Sequence, residues 1–464
     1  MNICVPDSLK KGPTLNREVS LARNQSNGIT FRGSATLRML PLAIAIPYLV
    51  LTLLLFFFGP YVWPVNAWWV VYLYVPAAFV LLALGFRFSA NMPARESNPL
   101  SITLFYVVGG VGTLVLLLPT AVIYTGSYPW EIATALNDQR EAYSALGEQL
   151  ELTEGSRGPL ALIRALVAPF AFCVLPFAVL YWTRLKMVYR VLAVLVVLAS
   201  IDLSILRGTT RELADLSIVG ASAYLVFLAR SSILSGKNLG SSLRKRWKAL
   251  LIVPLIGVMV VVTLVGRTEA RLGGTDSVCL GESTVCLTTS EAYSSLPEST
   301  YFGIATVTGY FSQGYYGLSL AGERSFESTL GLGHSSAVSA LYVVFGGDPY
   351  FLQRSYTARL EAEGWSDSNR WSTMLAWIAN DVGFTGGLIF VLLMGLAWGR
   401  AWINATQGMD DRSAVFFCAI MMMVFYLPAN NQMMLTFDAY ATLLFWGLAS
   451  AFGGAKARHG SPVA

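Results

Sequence analysis

An arginine at the centre of a membrane-spanning helix costs about 2.5–3.5 kcal/mol, so one lying inside an apolar run must have a partner or a task. Arg164 sits in L-I-R-A-L-V-A-P-F, and Arg207 and Arg211 flank Gly208 in D-L-S-I-L-R-G-T-T-R-E-L-A-D. On a continuous helix the latter two share a face at i and i+4; with Gly208 between them a tight turn is expected, and either geometry makes the two guanidinium groups converge. Two readings are open: Asp202, Glu212 or Asp215 neutralises them, or they clamp a diphosphate by bidentate hydrogen bonds. The other candidate is His334 in L-G-L-G-H-S-S, since the second of only two histidines, His459, lies near the C-terminus. G-L-G-H-S-S faintly resembles a glycine-rich nucleotide loop or a serine-hydrolase elbow, but no strand is expected before it and no second imidazole is at hand for the serine. His334 is thus either a general base or a structural, hydrogen-bonded residue. There is no G-x-x-x-x-G-K-[ST] of an ATP-driven pump and no Cys/His cluster, so no metal and no cofactor are expected.

These side chains must be positioned by a chain whose solvent is lipid. Of 464 residues 55% are hydrophobic and 13% charged, against about 25% charged in an average globular chain, and the mean hydropathy is +0.57. A large soluble core, a disordered tail protein and a nucleic-acid binder are excluded. Runs of about 20 apolar residues cross a ~30 Å hydrocarbon layer, and ten occur, at 39–59, 67–86, 100–125, 160–182, 191–206, 213–229, 249–266, 376–399, 413–432 and 437–453. Open strand edges do not survive in hydrocarbon and these runs lack a two-residue alternation, so they are expected to be helices. The predicted class is an all-α polytopic membrane protein with about ten transmembrane helices.

Charge sets the orientation. Segments 1–38, 87–98, 183–190, 230–248, 399–412 and 454–464 hold 21 of the 32 Lys and Arg but 5 of the 27 Asp and Glu, which predicts that they and both termini are cytoplasmic. All seven lysines fall there, so every outward cation is an arginine; this reflects either an arginine-rich composition or phosphate recognition. The N-terminal tail 1–38 has no short apolar stretch with a cleavage site and is not read as a signal peptide. A seven-helix membrane region, 39–266, carries an outer loop at 127–159, where Ile132, Leu136, Tyr143, Leu146 and Leu150 alternate with acids as in an amphipathic helix. That helix is a structural lid or a guide for an acceptor. A large outer loop, 267–375, precedes a three-helix region, 376–453, and a tail, 454–464. Within the large loop Tyr301 to Leu320 and Ser335 to Leu352 are apolar and rich in Tyr and Gly, as expected of interfacial or re-entrant helices. Cys4 is placed in the cytoplasm and Cys173 and Cys418 in membrane helices; Cys279 and Cys286, seven residues apart outside, form a disulfide or remain two thiols.

Arg164, the R-G-T-T-R turn, Q-G-Y-Y-G-L-S-L and L-G-L-G-H-S-S in the large loop, R-W-S-T-M-L-A-W-I-A-N-D-V-G-F-T-G-G-L-I-F and L-P-A-N-N-Q together resemble the Wzy-type O-antigen and oligosaccharide repeat-unit polymerases, and more distantly the O-antigen ligases. The resemblance covers roughly residues 160–440, mostly as architecture. It implies a metal-independent glycosyltransferase of GT-C-like fold in a bacterial inner membrane. Such an enzyme moves a growing glycan from undecaprenyl diphosphate onto a second lipid-linked repeat unit at the periplasmic face, and a chain-length regulator protein is an implied partner beside membrane lipids. By position Arg164, Arg207 and Arg211, with Arg354 and Arg370, match diphosphate-binding arginines, and His334 loosely matches the ligase loop histidine. A glycosyl diphosphate already contains its leaving group, so the enzyme need only stabilise charge and supply a proton sink. His334 is the first candidate base, with Glu323, Glu327 and Asp348 as substitutes; Tyr315, Tyr316, Tyr342 and Trp365 stack on sugars or belong to the interfacial aromatic belt. Gly383, Gly386 and Gly387 allow close helix packing.

Other readings are an O-antigen ligase of the same fold, a lipid-phosphate glycosyltransferase, a polysaccharide flippase or transporter, and a scaffold. The first outer loop, P-Y-V-W-P-V-N, lacks the acidic base expected of the second, and no internal repeat supports the third.

Overall fold

The computed structural model describes residues 35–95, 100–153, 157–236, 247–272, 280, 285–287, 295–365 and 370–453. Its long helices are α1 (Leu40–Phe58), α2 (Val75–Ala90, entered through a π-helical turn at Val70–Tyr74), α3 (Ile102–Thr125), α4 (Ile132–Asn137), α5 (Gln139–Leu152), α6 (Arg157–Tyr181), α7 (Met187–Leu206), α8 (Arg211–Ser235), α9 (Trp247–Leu272), α10 (Glu298–Ala321), α11 (Ser336–Val344), α12 (Met374–Thr406), α13 (Asp411–Tyr426) and α14 (Phe437–Phe452). Every expected span falls on one of them. Among the described residues seven helices are long and apolar enough to cross a membrane: α1, α2 with its π turn, α3, α6, α7, α8 and α12. Helices α13 and α14 have 16 residues each, about 24 Å at 1.5 Å per residue against a ~30 Å layer. The expected span 413–432 is therefore too long, because the helix stops at Tyr426. Pro428 cannot extend the amide ladder, and the chain turns through Asn430 and Asn431 into a single turn at Gln432–Leu435.

Large apolar side chains lie exposed along the helices, among them Leu51, Leu73, Phe88, Leu104, Val115 and Leu166. Apolar surface on this scale requires an apolar solvent.

The tightest helix pair is α2 with α12. A Cβ on Gly85 would lie 2.3 Å from Leu392 O, one on Gly395 2.4 Å from Leu82 O, and one on Gly399 2.4 Å from Phe86 O. Only glycine permits backbones so close, and the contacts Tyr74 with Gly387, Leu82 with Gly395 and Phe86 with Gly399 rise together in number, so the two helices run parallel. Gly383 does something else. At φ 67° and ψ 179° it breaks α12 into two helical stretches.

Outside the bundle, α5 leans on α3, where Thr153 Oγ1 donates to Ile123 O at 3.2 Å, and covers the α7–α8 turn, where a Cβ on Gly208 would meet Tyr143 N at 3.2 Å. Asp138 caps α5 by accepting from Glu141 N at 2.9 Å. The loop between α1 and α2 and the segment between α9 and α10 are tied by an antiparallel pair of two-residue strands, β1 (Tyr61–Val62) and β2 (Cys286–Leu287). Cys286 is disulfide-bonded, and its expected partner, Cys279, lies outside the described residues. Cys173 and Cys418 are buried free thiols.

Candidate functional site

The L-G-L-G-H-S-S loop folds around a carboxylate that the sequence reading did not single out, Asp381. Leu330 (φ 53°) and Gly331 (φ 88°) adopt left-handed backbone, and this curl turns successive amides inward. The N–H groups of Gly331 and Gly333 donate to Asp381 Oδ1 at 3.0 and 2.9 Å, that of His334 donates to Oδ2 at 2.9 Å, and Thr329 Oγ1 adds a fourth donor at 2.5 Å. Converging amides make an anion cradle; here the anion is the protein's own.

The break at Gly383 helps to seat the loop. The carbonyls of Asn380 and Asp381, which border it, accept from Thr329 N at 3.1 Å and Ser328 Oγ at 2.7 Å. Asn380, fully buried, donates to Gly333 O at 2.9 Å and Thr357 Oγ1 at 3.1 Å.

His334 is thereby oriented at both ring nitrogens. Nδ1 lies 2.8 Å from Asp381 Oδ2 and Nε2 lies 2.9 Å from the Tyr440 hydroxyl. An ionised carboxylate only accepts, so Nδ1 carries the proton and Nε2 presents its lone pair. The imidazole is 21% exposed and the carboxylate 8%, so the orienting carboxylate is the more closed of the two, and the Tyr440 hydroxyl caps the base nitrogen.

The arginines form a rim beside this group. Arg164 and Arg207 stand over the same Tyr124 ring, at 5.0 and 5.5 Å from its centroid. Arg164 is ion-paired with Asp438, and Arg207 with Glu212 at 2.6 Å. Arg211 is more loosely held: Asp215 is 3.8 Å away and the Arg211 side chain is 43% exposed. The R-G-T-T-R segment is a turn, with Gly208 at φ 58°. Neutralisation by Glu212 and Asp215, one of the two sequence-level readings, therefore holds in this structure, while Asp202 Oδ2 is buried without a hydrogen bond. Arg267, overlooked in the sequence, braces the turn by donating to Thr209 O, and to Ser204 O at 3.3 Å.

One short segment joins the parts. Asn431 donates to His334 O at 2.6 Å, and the next residue, Gln432, donates to Asp215 at 2.9 Å. Two residues apart at the start of α14, Asp438 holds Arg164 and Tyr440 holds His334. The L-P-A-N-N-Q motif is thus the clasp between the histidine and the cations.

Arg370 is half-buried beside Tyr61, Tyr143 and Tyr310, and burial pushes its pKa down against the opposing pull of these hydroxyls. Burial also pushes the Tyr61 hydroxyl up to about 12, with Arg370 opposing. Among the described residues no carboxylate forms an ion pair with Arg370.

Other expected residues lie apart. Arg354 is exposed over the Phe351 ring at 4.8 Å. Glu323 is exposed, and Glu327 is paired with Arg359 at 3.2 Å; neither touches His334. Tyr315 and Tyr316, expected to stack on sugars or to join the aromatic belt, are both buried, Tyr315 against Thr52 of α1 at 2.8 Å and Tyr316 edge-on to buried Trp365. An Asp within the apolar stretch A-W-I-A-N-D-V-G-F was the available signal for Asp381, since a carboxylate at that depth needs donors. Comparison with protein-family models, characterised proteins and solved structures finds no match to this chain, so the site stands on its geometry.

Proposed function

We propose that this protein is a lipid-diphosphate-dependent glycosyltransferase of GT-C-like fold that polymerises undecaprenyl-diphosphate-linked oligosaccharide repeat units at the periplasmic face of a bacterial inner membrane, with ten spans and cytoplasmic termini. The observation that carries the reading is His334, its Nδ1 bound to buried Asp381 and its Nε2 lone pair accepting from the Tyr440 hydroxyl, which the acceptor hydroxyl displaces, clasped to a rim of arginines. In the reaction the acceptor hydroxyl oxygen attacks the anomeric carbon of the donor glycan, the bond from that carbon to the diphosphate breaks, and the hydroxyl proton passes to His334 Nε2. Undecaprenyl diphosphate leaves with the bonding pair. Asp381 stabilises the imidazolium that forms. Arg211, with a carboxylate only at 3.8 Å, is the first cation free to turn to the diphosphate; Arg207 and Arg164 follow by exchanging Glu212 and Asp438 for phosphate oxygens.

The test is what accumulates in a strain lacking the protein, where the glycan ends on a lipid A core. A polymerase null leaves a core bearing one repeat unit. Long polymer retained on the carrier lipid would identify a ligase instead, and absence of any outward unit a flippase. His334→Ala is expected to reproduce the one-unit product, because losing a general base costs about 10²–10⁴-fold in rate; a normal ladder from it would remove the histidine from the chemistry.

A further inference from the structure

A second candidate site lies at the opposite end of the bundle. Between the break at Gly383 and Arg400, α12 covers 17 residues, about 26 Å at 1.5 Å per residue and close to a ~30 Å hydrocarbon layer. Where α2 ends against α12, the two border an open groove of about 530 Å³ walled by Phe88, Met92, Leu396 and Ala397 and rimmed by Arg95 and Arg400. Arg95 Nη1 donates to Ala451 O at 3.2 Å and Arg400 Nη1 to Pro93 O at 2.5 Å. Among the described residues neither has a carboxylate partner, and the two like charges are near enough to repel. Each guanidinium has five N–H donors in a planar fork suited to phosphate.

Carbon walls ending at two guanidinium groups complement a molecule with an alkyl chain and an anionic head. The groove opens on a helix surface that also exposes Leu84 and Phe88, so its occupant arrives from the lipid phase. We propose that this groove binds one anionic phospholipid, an acyl chain lying along Phe88, Met92 and Leu396 and the phosphate between Arg95 and Arg400. The site is separate from the His334 cluster and does not depend on the glycosyltransferase reading.

The experiment is native mass spectrometry of the delipidated full-length protein with dioleoylphosphatidylglycerol, dioleoylphosphatidylcholine or glycerol 1-phosphate. Phosphatidylglycerol is expected to form a discrete adduct in preference to phosphatidylcholine. The Arg95→Ala/Arg400→Ala protein should lose that adduct by about tenfold or more, whereas Arg87→Ala, exposed on α2 outside the groove, should bind as wild type. Ala397→Trp keeps both arginines and fills the groove; it too should lose the adduct, and it decides the matter if the double variant does not fold. Retained phosphatidylglycerol binding in Ala397→Trp or in the folded double variant overturns the proposal, as does equal binding of phosphatidylcholine. Glycerol 1-phosphate binding as tightly as the lipid would make this a site for free phosphate and overturn it as well.

Discussion

Asp381→Asn changes one atom of the group that orients His334. The carboxylate accepts from Thr329, Gly331 and Gly333 at Oδ1 and from His334 N and Nδ1 at Oδ2. An amide offers one acceptor oxygen and one donor nitrogen. Turned the better way, its oxygen keeps the three donors at Oδ1 and its NH₂ faces the histidine. The imidazole must then accept at Nδ1, which moves its proton to Nε2 and directs that proton to the Tyr440 hydroxyl. The lone pair assigned to the acceptor proton is lost. Stability falls because the His334 amide is left facing a donor and charge-assisted bonds become neutral; with Asp381 8% exposed, the sum is on the order of 3–5 kcal/mol. Turnover is expected to fall further, by about 10²–10⁴, with little change in KM because both oxygens of the carboxylate are occupied by donors of the protein itself. Purified Asp381→Asn would be assayed for initial rate on a synthetic undecaprenyl-diphosphate-linked repeat unit, with thermal unfolding in parallel. A folded variant working within about threefold of wild type would refute both the tautomer assignment and the role of His334 Nε2.

Lysine at position 207 or 211 keeps the charge but loses the planar fork, so Arg207→Lys and Arg211→Lys are expected to insert normally yet yield little long polymer on a surface-glycan gel; intact chains from both would exclude bidentate recognition. Gly395→Leu should unseat α12 from α2, since its Cβ alone would fall 2.4 Å from Leu82 O, and cost several kcal/mol, about 3 or more, read as lost accumulation and a lowered Tm. Alkaline-phosphatase fusions should be active after residue 290 and silent after residue 240; the reverse result at either point overturns the orientation.

What the sequence determined alone followed from energies that depend on immediate neighbours. Apolar runs had to be helices because hydrocarbon leaves no partner for an open backbone, and helices lie at all ten expected runs. Gly208 between Arg207 and Arg211 foretold a turn, and Cys173 and Cys418 lie in helices as expected. Hydropathy alone ran the span past Tyr426 although Pro428 ends the helix there, and it could not show that α1 and Trp365 cover Tyr315 and Tyr316. The partners at the site belong wholly to the fold. His334 meets Asp381 across 47 positions and Tyr440 across 106, and Arg164 meets Asp438 across 274. A buried carboxylate or guanidinium announces that it requires a partner, because leaving it unpaired is too costly. Which partner it takes depends on how the helices pack, and in this chain glycine contacts such as Gly85 and Gly395, together with the break at Gly383, set that packing.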